Sequence, residues 1–279
     1  MKKLNAVHKV LLIFFIVLVV HVFEALFLRL DETVVAENFV NKILGIIVIF
    51  CILVLYKWKW KDIGFSKKGF LKYTLIGIAL ATSTFIISYA MEILILIAQG
   101  HSVRIDVFTT SFSLIGEIQI NTGIGFIALC VFFNIINVIM EEGLFRGLFT
   151  KITSTEKSMK YALILQSVLF GIWHIVTPLK DLVDGSLGVP EFVVLSIGYL
   201  ILAGLMGIKW GLLYRMTGNL YVGMADHFFN NCIASNLLHV CTGSGIDEMM
   251  IIRIAIAQLI SFIVVLIIAT RKKTKKLSA

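Results

Sequence analysis

The sequence predicts an all-α polytopic membrane protein with about eight transmembrane helices and an active site inside the membrane. Hydrophobic residues make up 59% of the 279-residue chain and charged residues only 15%, and the mean hydropathy is +0.96. Soluble domains are roughly half apolar and about a quarter charged. The apolar residues lie in long runs, as in helices that cross a bilayer. We therefore expect residues 1–279 to form a single membrane domain.

The first apolar run follows a basic N-terminal segment and resembles a secretory signal peptide. No small-residue cleavage site follows it, and its apolar character continues to Leu28. We therefore expect this run to be retained as the first span.

Since about 20 apolar residues cross the hydrocarbon core, the runs divide into predicted spans. These cover residues 10–28, 39–56, 73–98, 123–149, 160–176, 192–208, 211–238 and 249–270. The division between the sixth and seventh spans rests only on a short interruption at 209–211. Residues 104–120 mix polar and apolar side chains, which predicts a short interfacial helix on the outer side.

The basic residues predict a multi-pass protein of the cell membrane with both termini in the cytoplasm. With an even number of spans, nineteen Lys and Arg residues, including Lys209 and Arg215, fall on the inner side and five on the outer side. This asymmetry is the one that the positive-inside rule describes. Because it also accounts for the net charge of +8, we expect membrane lipids as partners and no nucleic acid. The four cysteines have no metal-type spacing and predict no disulfide framework.

Several polar residues interrupt the predicted spans where burial is costly, and such residues are usually functional. They are Glu141, Glu142 and Arg146 in the fourth span, His174 in the fifth, and His227 with Asn231 in the seventh. A helix rise of about 1.5 Å per residue places them roughly 12 to 20 Å from the inner ends of their spans. Three segments that are distant in sequence therefore put polar groups in one layer of the membrane, which favours a site.

Helical spacing predicts different roles for the two glutamates. Glu142 and Arg146 are four residues apart and can form an ion pair along the helix. Glu141 has no such partner and shares a face with Asn134 and Asn137. We therefore expect Glu142 to be structural and Glu141 to be free to act as a base. The alternative is a polar network that only holds three helices together.

Other polar residues predict ordinary structural roles. We expect a capping or interfacial role for His21, near the outer end of the first span. We expect His239 to lie at a solvated surface. Asp226 is most simply a helix-face residue, although it is also a candidate partner for the neighbouring motif.

Three motifs in these spans resemble those of the CPBP family of intramembrane glutamic proteases, which includes CAAX prenyl endopeptidases and bacteriocin-processing enzymes. EEGLFRG, beginning at Glu141, is similar to the family's EExxxR motif. Residues 170–174 and 227–231 match its FxxxH and HxxxN motifs, in the family's order. The resemblance covers residues 123–238, which we interpret as a catalytic core, and it implies an eight-helix architecture.

The resemblance implies peptide hydrolysis without a metal or other cofactor. Glu141 and His174 would activate a water molecule, and His227 and Asn231 would form an oxyanion hole. Supporting positions would be held by three further residues: Glu142, Arg146 and Phe170. The substrate would be a membrane-associated peptide or a prenylated protein.

Two alternatives remain open at this point. One Glu and two His side chains are also zinc ligands, so a membrane metalloprotease is an alternative, although the sequence lacks HExxH. A non-enzymatic role in transport or bacteriocin immunity is the other. Transporters often show internal repeats, and no repeat is visible in this sequence.

Overall fold

The computed structural model describes residues 4–33, 37–110 and 120–277. The α-helices run over Ala6–Phe23 (α1), Val40–Tyr56 (α2), Phe70–Ala98 (α3), Ile124–Glu141 (α4), Met159–Trp173 (α5), Val176–Val183 (α6), Val189–Thr217 (α7), Tyr221–Phe228 (α8) and Met250–Leu277 (α9). Helices α1, α4 and α8 continue as π-helical segments, which are Glu24–Leu28, Glu142–Phe149 and Phe229–Ala234. A last α-helical turn, Thr150–Thr153, follows the second of these. Short 3-10 turns lie at Leu30–Glu32 and Trp60–Ile63.

The predicted class, an all-α polytopic membrane protein, is confirmed. In the described part of the chain, six helices are long and apolar enough to cross a membrane. Many of their large apolar side chains are exposed, including Phe27 at 70% and Leu94 at 66%, as expected where lipid replaces water. Helix α2 has 17 residues and α8 only 8, so helix length does not establish the predicted number of eight spans.

Local sequence signals mark several helix boundaries. The side chains of Asn5 and Ser158 accept hydrogen bonds from backbone N–H groups in the first turns of α1 and α5. Pro190 lies in the first turn of α7, where its missing N–H costs nothing. Gly218 ends the same helix with a left-handed φ of 65°.

The predicted boundary between the sixth and seventh spans is wrong. Helix α7 passes through 209–211 without interruption, and the chain turns only at residues 218–220. Lys209, which we had placed in an inner loop, is fully buried and forms an ion pair with Asp226. A lysine in an apolar run suggests a loop when only the sequence is considered, because a partner on another helix gives no local signal.

The prediction of an interfacial helix at 104–120 is also wrong for the part that the structure describes. Strand β1 (Arg104–Val107) pairs antiparallel with β4 (Leu238–Cys241), and β2 (Thr109–Thr110) pairs with β3 (Ile120–Asn121). Residues 111–119 lie outside the described residues. The paired strands satisfy backbone groups that a helix would have satisfied internally.

Close backbone contacts hold the site-bearing helices in place. Helix α5 packs along α7, and α3 packs along α8. A Cβ atom at Gly171 would lie 2.7 Å from the backbone oxygen of Leu200, and one at Gly77 would lie 2.3 Å from that of Val222. Only glycine allows these approaches, which bring the motif residues of α4, α5 and α8 together.

Candidate active site

Glu141 is the last residue of α4, and its side chain is only 5% exposed. Its Oε1 accepts a hydrogen bond of 3.1 Å from Trp173 Nε1. Its Oε2 has no hydrogen bond within the described residues and lies 3.5 Å from His227 Nε2. One oxygen is therefore held by a neutral donor, and the other is buried without a hydrogen bond among the described residues.

Glu142, the next residue, contacts a histidine and an arginine. Its Oε1 accepts a hydrogen bond of 3.0 Å from His227 Nδ1, and its Oε2 lies 3.5 Å from Arg146 Nε. The pair with Arg146 matches the predicted geometry, but the contact with His227 was not foreseen. A carboxylate only accepts hydrogen bonds, so an ionised Glu142 keeps the His227 proton on Nδ1.

Arg146 is completely buried, and aromatic rings surround its charge. Its guanidinium carbon lies 3.7 Å from the ring centroid of Phe170 and 4.8 Å from that of Trp210. None of its nitrogens forms a hydrogen bond within the described ranges. Ring faces and the nearby Glu142 carboxylate therefore compensate a cation that water cannot reach.

His174 follows the last residue of α5 and is half-buried. Its Nδ1 donates a hydrogen bond of 2.8 Å to the Phe170 carbonyl, and its ring centroid lies 4.5 Å from that of Phe170. Because a carbonyl only accepts, Nδ1 carries a proton, and Nε2 is the ring nitrogen left to face a reactant. In the described part of the chain, His174 makes no hydrogen bond to Glu141.

His227 and Asn231 lie on adjacent turns where α8 becomes π-helical. The His227 ring stacks on Trp210, with centroids 4.1 Å apart and an interplanar angle of 16°. Asn231 Nδ2 donates a hydrogen bond of 3.1 Å to His227 Nε2. The carboxamide of Asn231 therefore presents its donor end to the site.

Two π-helical segments begin at or just after motif residues. The widened helix begins at Glu142 in the first motif and at Phe229 in the third. Single π turns inside α-helices occur frequently at functional sites. Here they alter the angular spacing that the sequence prediction assumed for Glu142 with Arg146 and for His227 with Asn231, yet both pairs remain in contact.

Several residues that contact the site were missed. Trp173 and Trp210 are apolar by composition and gave no signal. His21 stacks on Trp173 at 4.1 Å between centroids, so it packs beside the site rather than capping a helix. His239, expected at a solvated surface, is 1% exposed and hydrogen-bonded to Asp247 at 2.6 Å.

The interpretation of Asp226 as a simple helix-face residue is wrong. Its side chain is 1% exposed. Its Oδ2 accepts hydrogen bonds from Lys209 Nζ and from Trp210 Nε1, the latter at 2.6 Å. The available signal was the unexplained Lys209 in an apolar run, which requires a buried anion nearby.

The geometry offers a base, a set of donors and an apolar enclosure. No group of three or more His, Cys, Asp or Glu side chains within the described residues could hold a metal ion. The Oε2 atom of Glu141 and the Nε2 atom of neutral His174 are proton acceptors, and Asn231 is a donor. Such a combination can activate water and stabilise an oxyanion.

One comparison with known proteins finds a similar family. Residues 123–233 match the model of a family described as Rce1-like, type II CAAX prenyl endopeptidase. No curated protein and no solved structure matches the chain significantly. The matched segment contains the motif residues from Glu141 to Asn231, so this segment of the chain is similar to that family.

Proposed function

We propose that this protein is an intramembrane endopeptidase that cleaves a membrane-associated or lipidated peptide with a water activated by Glu141 and His174. The observation that carries the proposal is the different charge beside two adjacent buried carboxylates. In each, one oxygen accepts a hydrogen bond and the other makes none among the described residues. The second oxygen of Glu142 lies 3.5 Å from the Arg146 guanidinium, whereas that of Glu141 lies 3.5 Å from His227 Nε2. A carboxylate that no permanent cation neutralises is available as a general base.

In the first step, Glu141 Oε2 takes a proton from the water as its oxygen attacks the scissile carbonyl. Trp173 holds the other carboxylate oxygen at 3.1 Å, which fixes the direction of Oε2. The Nε2 atom of neutral His174 orients the same water by accepting its second proton in a hydrogen bond. The product of this step is a tetrahedral oxyanion with the proton on Glu141.

The oxyanion would be stabilised by Asn231 and His227. Asn231 already presents Nδ2 to the site. His227 becomes a second donor when its Nε2 takes the proton from Glu141 Oε2, 3.5 Å away, and the Glu142 carboxylate at Nδ1 stabilises the resulting cation. Such donors contribute roughly 10²–10³ each to the rate in other enzymes. The same proton returns through Glu141 to the leaving amine as the C–N bond breaks.

The substrate class is proposed from the family and from the position of the site. The matching family is described by cleavage of prenylated CAAX proteins, and the site lies among helices suited to a bilayer. A lipid-modified or membrane-inserted peptide can bring its scissile bond to such a site, whereas a soluble protein cannot do so easily. Prenylated CAAX peptides are therefore the first substrates to test, with small peptide precursors as the second set.

The direct test is cleavage of a farnesylated CAAX peptide by the purified protein in detergent or lipid nanodiscs. We expect activity to persist with EDTA or 1,10-phenanthroline and to resist serine- and cysteine-directed reagents. The Glu141→Gln variant should remain folded and be inactive, which excludes a contaminating protease. Loss of activity to chelator with rescue by zinc would support the metalloprotease alternative instead. Absence of cleavage of prenylated and unprenylated peptides alike would overturn the proposal.

A further inference from the structure

Beside the site lies a chain of polar side chains that begins outside the three motifs and ends in the third. It begins at Lys209 in α7, crosses to Gln258 in α9 and ends at Asn230 and Asn231 after α8. Lys209, Gln258 and Asn230 are all at most 5% exposed. A buried polar chain is costly unless every member is satisfied, so the direction of its hydrogen bonds is informative.

The direction is set at one end by the ammonium group of Lys209. This group has three donors and no acceptor, and each donor is used: one goes to Asp226, one to Gln258 Oε1 at 2.5 Å and one to Ser261 Oγ at 2.8 Å. The oxygen of the Gln258 carboxamide must therefore face Lys209. Its nitrogen must point the other way, towards Asn230.

The same polarity passes through two further carboxamides. Gln258 Nε2 donates to Asn230 Oδ1 at 2.9 Å, and Asn230 Nδ2 donates to Asn231 Oδ1 at 2.8 Å. Asn231 then has only its Nδ2 left to face His227, at 3.1 Å. Reversing any one amide would bring two oxygens or two N–H groups together in a buried position.

We propose that Gln258 and Asn230 are positioning residues that hold the Asn231 carboxamide with its N–H donors towards the oxyanion, using Lys209 as the fixed end of the chain. This inference rests on the proposed function. Helix α9, which lies outside the matched segment, thereby takes part in the site. Preorganised donors need no reorientation during the reaction, and this lowers the barrier.

The test compares Gln258→Met with Ser261→Ala. Methionine keeps the length of glutamine and removes both hydrogen bonds, whereas the control removes a different Lys209 contact on the same helix and leaves the amide chain intact. We expect Gln258→Met to lower kcat about tenfold or more, as part of the contribution of one oxyanion donor, with little change in KM. Ser261→Ala should keep kcat within about twofold of wild type, because the Lys209–Gln258 contact that orients the amides is kept. The lost contact to the buried ammonium should instead lower the melting temperature.

A double-mutant cycle with Asn231→Ala separates positioning from general damage. If Gln258 acts only through Asn231, Gln258→Met should change kcat no further in the Asn231→Ala background. Multiplicative effects of the two substitutions on kcat, at similar melting temperatures, would overturn the inference while leaving the proposed function intact.

A measurement that needs no substrate distinguishes the two proposals. In protein labelled with ¹⁵N-asparagine, the side-chain amide resonances of Asn231, assigned by their loss in Asn231→Ala, should move in Gln258→Met and stay in place in Ser261→Ala. Unchanged Asn231 resonances in Gln258→Met would overturn the positioning role whether or not any peptide is cleaved.

Discussion

Adjacent carboxylates in one helix have different surroundings here. Glu141 meets a neutral indole donor and His227 Nε2, and Glu142 meets His227 Nδ1 and a buried guanidinium. The i,i+4 spacing allowed the Glu142–Arg146 pair to be predicted, because that contact is local. The Trp173 and His227 contacts are long-range, and helical periodicity carries no information about them.

Changing each glutamate to glutamine should therefore affect turnover and folded yield differently. Glu141→Gln should fold with normal yield and lose turnover by at least about 10²-fold, since a positioned base contributes roughly 10²–10⁴. Glu142→Gln should lower the folded yield and the melting temperature as well. It leaves Arg146 as a buried unpaired cation, and breaking such a pair typically costs about 3–5 kcal/mol.

The measurement is monodisperse yield, melting temperature and kcat for both variants in the same detergent. Equal losses of yield and melting temperature would show that the pair forms a structural network, which was the alternative left open by the sequence. Normal turnover in Glu141→Gln would remove the proposed base.

At the scale of single elements, the lack of a side chain at Gly171 allows α5 to pack closely against α7. Gly171 is the second residue of the FxxxH motif, and its backbone meets the Leu200 carbonyl where no Cβ can fit. His174 is three residues further on, so the helix–helix distance also sets the position of the proposed water-orienting base. The motif thus contains a packing requirement as well as a chemical one.

Gly171→Ala should therefore lower both stability and activity. Its Cβ would lie 2.7 Å from a backbone oxygen, so one helix must shift, and overpacking of this kind costs about 1–3 kcal/mol. The matched control is Gly198→Ala in α7, where a Cβ meets nothing within 4 Å. That substitution should be neutral or slightly stabilising, because alanine favours a helix over glycine by roughly 0.5–1 kcal/mol. Similar melting temperatures for the two variants would contradict the close-contact explanation.

The sequence predicted elements well where one helix carried its own signal. Apolar runs located the helices, and Asn5, Ser158 and Gly218 are recognisable boundary residues. The predicted boundary at 209–211 was wrong because the partner of Lys209 lies 17 residues away on another helix. In α9, Gln258 and Ser261 are three residues apart in an apolar span, and this spacing was a usable signal of a buried polar contact that we did not follow.

For the whole molecule, the contacts define two opposite ends. At one end, the Ala6 N–H donates to Glu156 at 2.9 Å, and Leu220 N–H donates to the Gly64 carbonyl at 3.1 Å. At the other, Arg29 pairs with Asp184 at 2.7 Å. The basic 57–72 loop, residues 151–157 and the start of α1 all belong to the first end. Since lysines concentrate there, the positive-inside rule predicts that this end is cytoplasmic.

We accordingly predict that Lys61, Lys157 and Ser278 are accessible from the cytoplasm, and that Ser102 and Ser244 are accessible from the outside. Helix α3 has 29 residues, so at about 1.5 Å per residue it spans a core about 30 Å thick and separates Lys61 from Ser102. Single cysteines at these positions, in a background with the four native cysteines replaced, can be labelled with a membrane-impermeant maleimide on intact cells and on inverted vesicles. Labelling of Lys61→Cys and Lys157→Cys from opposite sides would refute this topology. Labelling of both from the outside alone would show the inverted orientation.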